Sequence, residues 1–339
     1  MTSQQNLLEI QSIPKVGCGM EEVLLEIQDL WVEYRTFKGV ARAVNGVWLS
    51  VHSGESVGLV GETGAGKTST ALSVLRVLPP RTGRVARGRV LFNGQDLLAL
   101  PETAMGAIRG RSIAMVFQNP LTSLNPVFTV KQQMSDVLVQ HEKLTKKQAE
   151  IRARELLELV GIASYRINDY PHQFSGGMRQ RVGIAIALSC NPSVLIADEP
   201  TTALDVTIQA QVLELIRELQ RRFGTGMLLI THNLGVVAEM CNRVAVMYSG
   251  RIVERGIVDR VFTTPKHPYT VGLLRALPRL EGGAERLEPI PGGMPDPLQL
   301  PTGCKFHPRC KHAIYRCNVE EPTEVQITND HFVACFNVL

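Results

Sequence analysis

The residues Gly61-Glu62-Thr63-Gly64-Ala65-Gly66-Lys67-Thr68 meet the phosphate-loop pattern G-x-x-x-x-G-K-[ST] at every fixed position. Glycines there let the backbone curl without Cβ clashes, so successive N–H groups can point at phosphate oxygens. Lys67 is placed to reach β- and γ-phosphates, and the Thr68 hydroxyl suits Mg²⁺; Ser69, next to it, belongs with the expected nucleotide-binding residues. Asp198 and Glu199 close the apolar run Val194-Leu195-Ile196-Ala197. Asp198 is suited to hold Mg²⁺ through water and Glu199 to polarise an attacking water. Pro200 also allows an acidic helix start, but behind a phosphate loop the catalytic reading is preferred. Gln118 and His232 each follow an apolar run as well. Either alone reads as a loop amide or a structural histidine, but three strand ends closing in polar residues point together to one crevice. The pattern therefore predicts a nucleoside triphosphate site.

These groups need strands and helices that deliver them. Ser56 to Val60, Ser112 to Phe117, Val194 to Ala197 and Met227 to Thr231 are short apolar runs, as strands buried on both faces are. Ser69 to Leu78 contains no Pro or Gly and reads as a helix behind the phosphate loop. Residues 23–34 and 43–51 read as strands around a turn at Thr36 to Ala41. Tyr34 ends the first of them, and the pattern favours core over purine stacking for it. Pro79 to Arg84 reads as a basic, turn-rich stretch before a strand Arg89 to Phe92. Residues 130–140 and 145–160 are helical in pattern, with Ala149, Ala153, Leu156, Leu157 and Val160 on one face. Ser175 is placed to N-cap a helix over 177–189, and Ser175-Gly176-Gly177 taken alone reads as a plain cap. Asp205 lies at the opening of a further helix, 207–222.

Apolar residues make up 44% and charged residues 20% of the 339 positions, which is ordinary for a globular chain of about two domains. A net charge of +4 is too small to argue for nucleic acid. No apolar run reaches the length needed to span a bilayer, and the first residues lack a signal-peptide pattern, so a cytosolic location is expected. Four of the seven cysteines, Cys304, Cys310, Cys317 and Cys335, crowd into the tail. In a reducing compartment that crowding favours a metal over disulfides. No C-x-x-C pair is present, and zinc, an iron–sulfur cluster or free thiols all remain compatible. Cys190 and Cys241 read as core, and His307, His312 and His331 as surface residues.

The order phosphate loop, Gln118, Ser175-Gly176-Gly177, Asp198-Glu199, Ala203-Leu204-Asp205, His232 resembles the ATP-binding-cassette ATPases over roughly residues 24–260. Phe174, Met178 and Asn233 depart from the residues usual at those places. The resemblance implies an α/β fold. It has a P-loop ABC ATPase core, an antiparallel β subdomain, a helical subdomain (about 119–188) and a small Cys-rich C-terminal domain. The expected boundaries are a lead-in over 1–22, the nucleotide-binding domain over 23–260 and the C-terminal domain over 261–339. The resemblance makes Tyr34 the adenine-stacking aromatic and Glu199 the catalytic carboxylate. Gln118 would touch Mg²⁺ or the lytic water, His232 would contact the γ-phosphate, and Asp205 would lie at a dimer seam. Ser175, Gly176 and Gly177 would cap, in a head-to-tail dimer, the ATP held by the other cassette.

A narrower resemblance rests on Gln118 to Pro126, Tyr170 to Arg181, His267-Pro268-Tyr269-Thr270 and Gly303 to Cys310. These look like the oligopeptide/dipeptide importer ATPases. That implies peptide import at the cytoplasmic face of the inner membrane. The implied partners are a second and usually different ATPase subunit, two membrane permease subunits and an extracytoplasmic peptide-binding protein, with no nucleic acid. In that family the four tail cysteines resemble a four-iron–four-sulfur ligand set, with zinc as the alternative. A soluble ABC-type ATPase acting on nucleic acid or ribosomes, or an importer of another solute such as nickel or glutathione, are the rival readings.

Overall fold

A computed structural model describes residues 22–118, 124–201, 206–276 and 289–339. Two long strands open the chain, β1 (Val23–Thr36) and β2 (Gly39–His52), paired antiparallel from Thr36↔Gly39 to Val23↔His52. The first strand of the main sheet, β3 (Ser56–Val60), is buried at all five positions and leads through the glycine-rich loop into α1 (Lys67–Val74). Next come β4 (Gly83–Phe92), β5 (Gln95–Asp96) and α2 (Glu102–Ile108). Strands β1, β2, β4 and β5 make an antiparallel sheet in the order β2-β1-β4-β5. The strand β4 starts at Gly83, where the sequence reads as a turn. Arg84 and Arg87 join the ladder with β1, and Glu33 and Asp29 on that strand meet their charges at 2.8 and 2.6 Å.

The main sheet continues with β6 (Ile113–Val116), β7 (Val194–Asp198), β8 (Gly226–Thr231), β9 (Arg243–Tyr248) and β10 (Arg251–Ile257). With β11 (Val325–Thr328) and β12 (His331–Val333) its order is β11-β12-β10-β9-β3-β8-β7-β6. The pairs β6–β7, β7–β8, β8–β3 and β3–β9 are parallel. Alternation decides their packing. Val194 and Ile196 of β7, with Leu228 and Ile230 of β8, join the core beneath the antiparallel sheet. Leu195, Ala197, Met227 and Leu229 face the other way, toward α5 (Gly176–Leu188), α6 (Val206–Phe223) and α7 (Leu234–Met240).

Between β6 and α5 stand α3 (Val130–Glu142) and α4 (Lys146–Leu159). Each opens on a threonine–glutamine capping box, Thr129 with Gln132 and Thr145 with Gln148. The apolar face of α4 (Ala149, Ala153, Leu156, Leu157) is buried with Val160 against Met134, Leu138 and Val182. Among the described residues no helix is long and apolar enough to cross a membrane.

The tail, where the sequence leads to the expectation of a small Cys-rich C-terminal domain, packs onto the main sheet. After α8 (Val258–Thr263) and α9 (Pro268–Arg275) the tail adds β12 to the edge strand β10, then β11 beyond it, and carries α10 (Tyr315–Val319). Tyr269 and Phe306 share one apolar cluster with Val60, Val246 and Tyr248 of the main sheet. His331, read as a surface residue, is only 2% exposed. It bonds through Nε2 to Glu254 at 2.8 Å, and the same buried carboxylate accepts the N–H groups of Lys266 and His267.

Candidate functional site

Parallel pairing brings the carboxyl ends of four strands to one edge. Val60 pairs with Thr231, Asp198 with Ile230, and Val116 with Ala197. The residues just past those ends therefore share a crevice.

The phosphate loop leaves β3 at Gly61, and Gly66 closes it in the left-handed region (φ 107°) as N-cap of α1. A Cβ at Gly61 would lie 2.1 Å from the Met247 carbonyl oxygen, and one at Gly66 would lie 2.3 Å from that of Ala43. Those two positions need glycine for close backbone approach as well as for φ. Lys67 is 5% exposed, and its Nζ donates to Gly61 O at 2.7 Å and Glu62 O at 3.0 Å. Burial pushes its ammonium below the usual lysine range, against the pull of Glu199, Asp198 and Glu62. Tyr34, two residues before the end of β1, donates from its hydroxyl to Ser69 Oγ on α1 at 3.0 Å. Its ring packs against the central core from a partly buried position.

Asp198 ends β7 and is 3% exposed. Burial raises its carboxyl above the ordinary range, and the Thr68 hydroxyl, which donates to it, draws it back down. Its Oδ1 has no hydrogen-bond partner among the described residues. An orphaned, buried carboxylate oxygen beside a threonine hydroxyl suits a hard divalent cation such as Mg²⁺. Glu199 takes a left-handed φ of 45°, which turns its side chain away from the strand path, and its N–H is tied to Ile230 O at 2.8 Å. Gln118 Nε2 donates to Glu199 Oε2 at 2.8 Å, and His232 Nδ1 lies 3.1 Å from Oε1. The three strand-end groups thus meet on one carboxylate. A carboxylate so held, with an amide and an imidazole on its two oxygens, can orient and deprotonate a water. Asn233, where the sequence departs from the usual residue, caps α7 by accepting from Gly235 and Val236 N–H.

Ser175 is the N-cap of α5, and its exposed hydroxyl accepts from Met178 N–H at 3.3 Å. Gly177 lies against α6, where a Cβ would come within 2.7 Å of Ile208. Asp205 lies outside the described residues.

Cys304, Cys310, Cys317 and Cys335 line one cavity with His267, His307 and His312, and none of the described cysteines is in a disulfide. Burial raises the Cys304 and Cys310 thiols, and that of Cys335 to about 11. The expected metal centre gains no support from the geometry: among the described residues no group of three or more His, Cys, Asp or Glu is placed to hold an ion. The four thiols converge on one space without closing round a point. Cys190 is buried as expected, and Cys241 sits where burial pushes its thiol up to about 12.

Sequence reasoning missed two residues that touch the phosphate loop. Tyr269 OH accepts the Glu62 N–H at 2.9 Å, and Arg309 pairs with the Glu62 carboxylate. Both lie in the tail, and no local pattern announces such a contact.

Residues 44–202 match the ABC transporter family, and residues 253–317 match the C-terminal region of oligopeptide/dipeptide transporters. The oligopeptide transport ATP-binding protein OppD of Bacillus subtilis is 49% identical over 91% of this chain and 87% of its own length. The dipeptide transport ATP-binding protein DppD of the same organism is 47% identical over 93% and 95%. A probable peptide ABC transporter ATP-binding protein, y4tR of Sinorhizobium fredii, is 48% identical over 97% and 98%. Among solved structures, cbiO1 of Clostridium perfringens, part of the ABC transporter complex cbiONQ, is 28% identical with a TM-score of 0.60. It covers 72% of this chain and 92% of its own. The dimeric bacterial ABC transporter cassette MJ0796 is 25% identical with a TM-score of 0.63, over 69% and 99%.

Proposed function

This chain belongs to the ATP-binding proteins of oligopeptide and dipeptide ABC transporters, and on that premise we propose that it hydrolyses ATP to drive peptide import as a peripheral subunit at the cytoplasmic face of the membrane. The observation that carries the reading is the meeting of Gln118, Glu199 and His232 beside the phosphate loop, in a chain similar over nearly its whole length to peptide-transport ATPases. None of those relatives favours the alternative of a soluble ATPase working on nucleic acid or ribosomes.

In the proposed mechanism the loop N–H groups and Lys67 take the β- and γ-phosphates, and Lys67 exchanges its own loop carbonyls for phosphate oxygens. Tyr34 stacks on the adenine. Thr68 and Asp198, with Gln118, hold Mg²⁺, which supplies charge neutralisation at the phosphates. Glu199 accepts a proton from the attacking water, and Gln118 and His232 fix its direction. Ser175, Gly176 and Gly177 cap the ATP of a partner cassette, and Asp205 lies at the seam. The partner cassette is a second, different ATPase subunit. Closure of the pair moves two permease subunits fed by an extracytoplasmic peptide-binding protein.

The permease face is proposed near residues 119–135. Residues 119–123 lie outside the described residues; Val127 and Phe128 are exposed in the rest of the stretch, and the exposed Phe117 just before it lines an apolar cavity of about 280 Å³ between α3, α5 and β6. Solubilised membranes test the whole reading. The chain should be recovered with two hydrophobic subunits, and its ATPase should rise when peptide-loaded binding protein is added. A chain that stayed wholly free of membranes and bound nucleic acid specifically would end the importer assignment.

The four tail cysteines are proposed to bind a four-iron–four-sulfur cluster. Support comes from the resemblance, and the four line one cavity. Thiolate donors suit it, but the four must draw together and shed protons to bind. Because burial holds the thiols of Cys304, Cys310 and Cys335 above the ordinary range, uptake should strengthen as pH rises. Anaerobically purified protein should carry about four irons and a broad absorption near 400 nm. About one zinc without colour would replace the cluster by a structural zinc, and no metal would remove the proposal.

A further inference from the structure

Glu62 sits inside the phosphate loop, where a free carboxylate would oppose an anionic ligand. It also lies within electrostatic reach of Lys67. The structure turns this acid toward the tail. Arg309, 9% exposed, donates from Nη1 to Glu62 Oε2 at 2.6 Å and from Nη2 to Oε1 at 3.0 Å. That is a bidentate, charge-assisted pair. The guanidinium is fixed from its other side by Pro291 O, 2.8 Å from Nε, and by Ile290 O, 3.3 Å from Nη2. Tyr248 OH stands 3.4 Å from Nη1. The Glu62 backbone is held too, because its N–H donates to Tyr269 OH. Tyr269 is fully buried on α9, whose N-cap His267 accepts the Tyr269 N–H. Two tail residues thus hold one loop residue, by backbone and by side chain.

We propose that Arg309 is a positioning residue of the ATP site. It neutralises Glu62 and holds its carboxylate turned away, so that the loop N–H groups and Lys67 meet the phosphates without a competing negative charge. This rests on the reading of Gly61–Thr68 as the loop that holds ATP. A fork of five donors fits the geometry, whereas a lysine would supply charge without the paired bonds.

The test is Mg-ATP affinity by calorimetry, with KM and kcat for ATP hydrolysis, on the full chain. The variants are Arg309→Met, Glu62→Gln and the two combined. Arg309→Met should weaken ATP binding and raise KM about tenfold, with kcat changed less than about twofold. Glu62→Gln should tighten binding about twofold, because a repelling charge is gone. Added to Arg309→Met, it should restore affinity to within about threefold of the unaltered chain. An arginine that served packing alone would leave the double variant as weak as Arg309→Met. That result overturns the proposal, as does an Arg309→Met variant that binds ATP normally. Should Arg309→Met not fold, the double variant decides against Glu62→Gln: equal affinity supports the role, and a tenfold loss removes it. If the unaltered chain binds no ATP, the reading of the loop fails and this role falls with it.

Discussion

Glu199→Gln is expected to bind ATP at least as tightly as the unaltered chain and to turn it over about a hundred- to a thousandfold more slowly. The substitution is nearly isosteric, so the Ile230 tie on the backbone and the packing of β7 are untouched. The proton acceptor between Gln118 and His232 is what disappears. Binding is spared because the loop and Lys67 carry it. Removing a negative charge that acts on Lys67 also lowers the local opposition to phosphate. ATP that binds and is not consumed should accumulate paired cassettes, visible in size-exclusion chromatography with retained nucleotide. Turnover at the unaltered rate would take Glu199 out of its role.

Lys67→Met should cost ATP affinity about a hundredfold, roughly 2.7 kcal/mol, with hydrolysis below detection. The reason is double. The ammonium is the one side-chain cation described on the loop itself, and it ties Gly61 O and Glu62 O together when no phosphate is present. Methionine fills the volume but offers neither charge nor donors. Its loss therefore removes a charge-assisted contact to the ligand and takes the ammonium from the Gly61 and Glu62 carbonyls, of which Glu62 O keeps the Ala65 N–H at 3.1 Å. Calorimetric titration with Mg-ATP reads the effect, and thermal unfolding without nucleotide checks that the fold survives. Affinity within about threefold of the unaltered chain would mean that backbone N–H groups alone hold the phosphates.

Much of this was legible in the residues. Strands β3, β7 and β8 announce themselves as continuous apolar runs because the sheet buries both their faces. Once they are taken as parallel, the polar residues that close them must share an edge. The apolar face of α4 is equally plain, since Ala149, Ala153, Leu156 and Leu157 recur at helical spacing and all are buried. What stayed hidden depends on partners distant in sequence. Gly83 and Arg84 look like the end of a basic turn until they are seen paired with Tyr34 and Glu33 of β1. His331 looks like a surface histidine until Glu254 stands beside it. Cysteine spacing shows that four thiols are near in sequence, but not how far apart their sulfurs stand in space. The grip of Arg309 on Glu62 could not be read from either segment alone.

The addition of β12 to the edge of β10 bears on modularity. A chain cut after β10 would not be this ATPase minus an ornament. It would end on an open sheet margin, with unpaired backbone groups facing solvent as a template for association. Its aromatic cluster around Tyr248 would lose Tyr269 and Phe306. Its nucleotide loop would also be missing both of its tethers. Kinetics measured on such an isolated cassette would describe a different catalyst. A chimaera that borrows another relative's tail must reproduce the fork, the phenol and the strand edge together, because the three are inherited as one joint.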